Sequence, residues 1–424
     1  MASDSKLLAV MTPFVICLLV SVATASASIR PVYAGGDLQA ALNAAEAGDE
    51  VVLDSGAVFT GNFSLPPKPF SISPITLRSS ERLEDRQVVE EDASRMATIS
   101  SPNVITALEI KGTANWKIVG IRFTSNQLGA GNVVECQDVD SILIDRTLFV
   151  GGAQGQKRAV LCNGTNITIT RNHWANVYGS GQDSQCFLAY DGMGPYTLRD
   201  NFFECASENI MFGGDDSKSA LRIPSNILVE RNVLTKRLEW KGQGRVVKNL
   251  FELKCAKNVT LRNNVLQFNW TDGQSGWGIV LTPRNQGGNA PWSTVTGVLI
   301  EQNSVFSERG VNILGIDDEQ PSGTLSNITV RNNSFTLTSD FMQIGAEAGK
   351  VSVTGNRVYT YGVFLKLYGG NVWPAGRPKR AALYATTSFI AKSNSAWEHL
   401  IVGDNTAPNE VALQTYTLSH TVTW

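Results

Sequence analysis

Ile167-Thr-Ile-Thr-Arg-Asn172-His-Trp174 is an alternating apolar run closed by an asparagine, with an apolar residue resuming two places later. The phrase returns as Tyr196-Thr-Leu-Arg-Asp-Asn201-Phe-Phe203 and as Ile227-Leu-Val-Glu-Arg-Asn232-Val-Leu234. It returns again over Val259 to Leu266, Val298 to Phe306, Ile328 to Phe335 and Val351 to Val358. The closing asparagines, Asn172, Asn201, Asn232, Asn264, Asn303, Asn333 and Asn356, stand 29, 31, 32, 39, 30 and 23 residues apart. A constant phrase at variable spacing marks one supersecondary unit with loops of different length inserted at a fixed place. Each unit holds period-2 strands, which bury one face and cannot do so alone, so the units must stack as a solenoid. The asparagines are read as architecture: at a tight bend, a side-chain amide can bond the coils above and below. The same strand grammar generates Asn166-Ile-Thr168, Asn258-Val-Thr260 and Asn327-Ile-Thr329, which therefore say little about glycosylation.

Every unit has a second strand upstream, as in Ala159-Val-Leu-Cys162, Phe251-Glu-Leu-Lys254, Gly278-Ile-Val-Leu281 and Val311-Asn-Ile-Leu314. Strand, bend, strand, asparagine corner and a third apolar step make one turn of a triangular coil. More degenerate turns precede these at Ile118 to Phe123 and Ile142 to Phe149. The pattern resembles the right-handed parallel β-helix of the pectin-lyase-like superfamily over roughly residues 30 to 370. Gly36 to Leu53 then looks like that superfamily's short N-terminal capping helix running into its first strand. The expected fold class is all-β, a right-handed parallel β-helix solenoid with that helix, in one domain over 28–370. Residues 371–424 are expected to cover the open end and its strand edges. One such fold hosts many chemistries, so the resemblance implies no reaction.

Glycine is abundant (38 of 424 residues) and charged residues make up only 17% of the chain, as many strands joined by tight bends require. A net charge of −2 argues against nucleic acid as a partner, since a basic stripe would be needed. Lys6, the apolar run Leu7 to Val22 and the small residues to Ala27 read as a signal peptide over 1–27, giving a secreted or periplasmic monomer. The run is short for a membrane span, and a retained anchor is the alternative. Five cysteines remain beyond the signal, an odd number, so at least one stays unpaired within the chain. They are read as buried stack positions first and as disulfides between turns second. His173, His399 and His420 have no metal-ligand spacing, which argues against zinc.

The search for chemistry falls on outward charged residues in neighbouring turns. Burying Phe251 and Leu253 turns Glu252 and Lys254 outward, and one turn on Thr282 leads to Arg284. Asp317 and Asp318 end the next turn, and Asp215 and Asp216 end an earlier one. Abstracting a proton α to a uronate carboxylate needs a base and a cation to hold the developing charge. Lys254 and Arg284 are the candidates for those two roles, with Glu252 and Asp317 as further catalytic residues. Asp215, Asp216 and Asp318 could hold a calcium ion. Trp270, Asp272, Trp277 and Trp292, on glycine-rich loops beside this face, and Lys248 before it, are candidate substrate-binding residues, since a tryptophan ring suits a pyranose face.

The expected function is a polysaccharide lyase acting on an acidic, uronate-containing polymer. A glycoside hydrolase using Glu252 with Asp317 or Asp272 is the alternative enzyme, and a non-catalytic carbohydrate-binding protein is the alternative outside enzymes. The Gly-His-Gly and Arg-Ile-Lys steps of the superfamily's polygalacturonases are absent from this sequence, which weighs against hydrolysis of pectin.

Overall fold

The computed structural model describes residues 27–68, 71–179, 181–315, 320–345 and 348–369, with three short strands beyond. Of those strands, Lys379–Leu383 pairs with Leu365–Gly369, Leu400–Gly403 with Ala348–Thr354, and His420–Val422 with Leu400–Gly403. The signal-peptide reading, Asp317, Asp318 and most of the tail lie outside the described residues.

The chain winds as a parallel β-helix of three strands per coil. One complete coil runs Glu208–Phe212, Ser225–Glu230 and Val233–Thr235, and the next runs Phe251–Leu253, Ala256–Arg262 and Val265–Asn269. Each strand pairs in parallel with its counterpart one coil away, as Ile210 with Phe251 and Phe251 with Ile279. Two inward rows of the first sheet, Ile210–Phe251–Ile279–Val311 and Phe212–Leu253–Leu281–Ile313, are completely buried. At roughly 1.5–3 kcal/mol for each large apolar side chain removed from water, these rows are a main source of cohesion between coils.

The corners explain the asparagines. Arg171, Asp200, Arg231, Asn263, Gln302, Asn332 and Gly355, each just before a closing asparagine, take left-handed φ values between 53° and 65°. That conformation turns the chain sharply and delivers the asparagine inward. The Asn201 N–H and Nδ2 donate to Asn232 Oδ1 at 3.0 and 2.9 Å, and Asn232 does the same to Asn264 at 2.9 and 3.0 Å. Each Nδ2 also donates back to a carbonyl of the previous coil, as Asn232 does to Leu198 at 2.9 Å. The ladder runs unbroken from Asn172 to Asn356, so these buried amides are paired along its length.

The N-terminal helix is present as Leu38–Ala44, capped by Asp37, whose carboxylate accepts from the Ala40 N–H at 2.9 Å, and it buries Leu38 and Leu42. All five described cysteines are buried free thiols. Cys136 and Cys162 are register partners, as their matching place in the phrase suggested. Cys255 lies two positions further along its coil, because Leu161, the residue before Cys162, is carried through Leu188 and Met211 to Glu252. Among the described residues no helix is long and apolar enough to cross a membrane.

Candidate functional site

The outer face of the first sheet carries a cleft of about 460 Å³ that opens at Glu252 and continues over the following coils. Register explains its floor: Glu252, Val280, Asn312, Gln343 and Lys366 stand in one outward row. Parallel neighbours lie about 4.8 Å apart, so successive coils offer side chains at that interval. Lys254, Thr282 and Arg284, from the strand ends, form one side, and Trp277, Arg309 and Asp340 form part of the lining as well.

Glu252, Lys254, Thr282 and Arg284 thus meet in one cleft with Trp277, the grouping the alternation implied. Their exposure differs from the expectation of a solvated face. Glu252 and Lys254 are only 1% and 8% exposed, because loops rise around the floor, and their contact is a buried ion pair. Lys254 Nζ lies 3.4 Å from Glu252 Oε1, while Glu252 Oε2 accepts from Asn249 Nδ2 at 2.8 Å. The Arg284 N–H donates to the Lys254 carbonyl at 2.9 Å, tying the two cationic residues through the backbone. Thr282 Oγ1 is buried beside them with no hydrogen-bond partner among the described residues.

Further along, Asp340 joins Arg309 and Lys366. Its Oδ2 lies 3.4 Å from Arg309 Nε and 2.5 Å from Lys366 Nζ, and its Oδ1 accepts from the Val363 N–H at 2.9 Å. Burial would raise the carboxyl's pKa, but these hydrogen bonds and the two cations outweigh it and hold the pKa below the usual range. Among the described residues the lining contains four cations, Lys254, Arg284, Arg309 and Lys366, and two carboxylates, Glu252 and Asp340.

Sequence reasoning missed the charges on the other side of Glu252. Glu208 is buried, accepts from Gln185 Nε2 at 2.7 Å and lies 3.6 Å from Lys248 Nζ. Burial, then the nearby charge of Glu252, push its pKa up to about 7. Lys248 also pairs with Asp183, so it belongs to this carboxylate cluster and does not line the cleft. Glu208 opens its strand two residues before the apolar triplet Ile210 to Phe212, and its phrase alone gives no sign of a neighbouring carboxylate.

Lys236 was missed too. Its Nζ, fully buried, is ringed by five oxygens, those of Cys205, Ala206, Ser207, Asn249 and the Asn209 side chain, at 2.8 to 3.2 Å. Burial pushes its pKa down to about 8. The ring joins the approach to Glu208 in one coil to Asn249, the partner of Glu252, in the next.

The other candidates separate. Trp270 is buried with Tyr178, Trp240 and Val247 and packs its loop, so it is not a sugar platform. The Trp277 ring lies in the cleft wall with the Arg309 guanidinium 5.8 Å from its centroid, and little of it is open to a ligand. Trp292 donates from Nε1 to Ser217 Oγ at 2.9 Å, outside the lining. Asp272 is exposed on its loop, also outside the lining. The Asp216 carboxylate accepts from the N–H groups of Gly287 and Asn289 at 3.0 and 2.9 Å, and Asp215 Oδ1 accepts from the Asp216 N–H at 2.9 Å. Among the described residues no three His, Cys, Asp or Glu side chains gather as metal ligands. Asp318, the third residue of the calcium expectation, lies outside the described residues.

No family model matches this chain, and no curated protein does. Among solved structures it is similar to a polygalacturonase from Erwinia carotovora ssp. carotovora, at 13% identity and a TM-score of 0.54 over 84% of this chain and 95% of that one. It is also similar to a hyperthermoactive exopolygalacturonase from Thermotoga maritima, at 10% identity and a TM-score of 0.50 over 79% and 86%. These likenesses show the fold alone, a parallel β-helix.

Proposed function

We propose that the chain is a polysaccharide lyase that cleaves a uronate-containing polymer by β-elimination in the cleft between Lys254 and Lys366. The observation that carries this reading is that Lys254 and Arg284 are tied together in adjacent coils at one end of a cleft whose described lining holds four cations and two carboxylates. A hydrolase needs two carboxylates flanking the bond, whereas elimination needs a base and cationic stabilisation. The absence of the polygalacturonases' Gly-His-Gly and Arg-Ile-Lys steps supports the same choice.

In this mechanism Arg284 pairs with the uronate carboxylate and draws the developing negative charge onto it. Lys254, after passing one ammonium proton to Glu252 within their pair, takes the proton on the carbon α to that carboxylate. The released electron pair forms the carbon–carbon double bond, and the bond to the glycosidic oxygen breaks, the oxygen leaving with the proton that Lys254 has taken and now returns. Glu252 holds Lys254 in place and is itself held by Asn249. Arg309 and Lys366 receive acidic groups of neighbouring sugars, and Thr282 offers its hydroxyl to the substrate.

One observation favours a second reading. Glu208, with its pKa raised to about 7, stands near the charge of Glu252, and carboxyls with separated pKa values are the acid and nucleophile of many glycosidases. Glu208 is outside the cleft lining, which places the elimination reading first.

The test is incubation with polygalacturonate, alginate, glucuronan and hyaluronate while following ultraviolet absorbance of unsaturated uronate ends. A rise with one polymer, lost in Lys254→Met, supports the lyase. New reducing ends without a rise would replace it with the hydrolase, and silence throughout would favour a binding protein.

A further inference from the structure

The outward row that floors the cleft does not stop at Glu252. Towards the N-terminus it continues through Met211, Leu188 and Leu161. These three are apolar and only 5 to 7% exposed, packed together with Tyr190. Side chains on the outer face of a sheet reach such burial only where other chain lies over them.

Part of the covering is identifiable. Gly213 and Gly214 follow Phe212 with φ of +94° and +87°, a conformation that favours glycine. A Cβ on Gly214 would lie 2.2 Å from the Met211 methyl, and one on Gly213 would lie 2.9 Å from Lys254 Cβ. The two glycines are therefore pressed onto Met211 and onto Lys254 itself. Beyond them the segment is fastened across the cleft's flank: Asp216 accepts from the Gly287 and Asn289 amides, and Ser217 Oγ from Trp292. The loop so engaged is the one that follows Arg284.

We infer that the cleft is closed at its Lys254 end by the Gly213–Gly214 turn and the apolar row beneath it, so that it accepts the end of a polysaccharide chain and releases short products of one size. This rests on the elimination reading of the same cleft. A chain running on past Lys254 would have to cross the Gly213–Gly214 turn, over a floor of leucine and methionine that offers no partner for its hydroxyls and carboxylates. On the other side the row offers Asn312, Gln343 and Lys366, which suit an acidic sugar chain.

Two measurements test this. The first is the size distribution of early products from oligogalacturonates and alginate oligomers of graded length. One dominant short product at every starting length is expected, and a spread of all sizes from the first time points would overturn the proposal while leaving the lyase reading intact. The second is calorimetric titration of the Lys254→Met protein with the same oligomers and their parent polymers. One protein per chain at every length is expected, and a stoichiometry that grows with length would overturn it. End-on stoichiometry without unsaturated products would refute the lyase reading and uphold the closed end, and absence of binding by every oligomer would overturn both.

Discussion

The Arg284 N–H donates to the Lys254 carbonyl across 2.9 Å, so the two cations at the head of the cleft leave adjacent coils from positions fixed by the β-ladder. Their spacing is a property of the solenoid, not of a loop. Lys254→Met should lower turnover by about 10²–10⁴-fold, as loss of a general base does, and Arg284→Gln by about 10²–10³-fold. Circular dichroism of both variants should match the parent protein, since neither residue belongs to the inward rows.

Glu208 separates the two chemistries. Under elimination, Glu208→Gln keeps turnover within roughly threefold, because the carboxyl lies outside the lining and makes no proton transfer. A loss approaching a thousandfold in kcat, with new reducing ends still forming, would identify it as the acid of a hydrolase.

The same residue predicts a pH dependence of stability. Its pKa is raised in the folded state to about 7 against an ordinary 4.5, so the folded protein holds this proton after the unfolded chain has lost it. The stabilisation is fully present below about pH 4.5 and is lost as pH rises through about 7. Thermal melts should show Tm falling over that interval, and the Glu208→Gln protein should lack this component of the fall.

Lys236 is expected to matter more for stability than any residue of the cleft. Replacing it by methionine leaves five oxygens facing an apolar side chain, a change on the order of 3–5 kcal/mol. Urea denaturation of Lys236→Met should report a free energy of unfolding lower by that amount.

The corner ladder predicts a contrast between two asparagines of one coil. Asn232→Ala removes side-chain bonds to Asn201, Asn264 and Leu198 in a fully buried corner, a loss of about 3 kcal/mol. Asn226→Ala, at an exposed left-handed position, should cost only about 1–2 kcal/mol, the strain of that conformation. Equal effects in denaturant unfolding would mean that the ladder contributes little.

The fold was legible because its information is local. Strand alternation and the asparagine corner repeat within each coil, and stacking converts that repetition into register, which is why Glu252, Lys254 and Arg284 could be brought together from spacing alone. The loops were not legible, because their path depends on contacts distant in sequence. Trp270, Trp277 and Trp292 suggested sugar platforms, yet Trp270 packs with Trp240 and Tyr178, and Trp292 is held by Ser217, 75 residues away. The partners of Asp216, Gly287 and Asn289, likewise come from a loop over 70 residues on. Burial of Glu208 and Lys236 likewise follows from what neighbouring coils place around them, which no single phrase reveals.

The central claim is that the bond is broken by elimination. Mass spectrometry of the products from a defined oligouronate tests it directly, because elimination adds no water. The paired product masses should sum to the mass of the parent oligomer, with the new non-reducing end one water lighter than a saturated sugar. A sum equal to the parent plus one water would show hydrolysis and contradict this account.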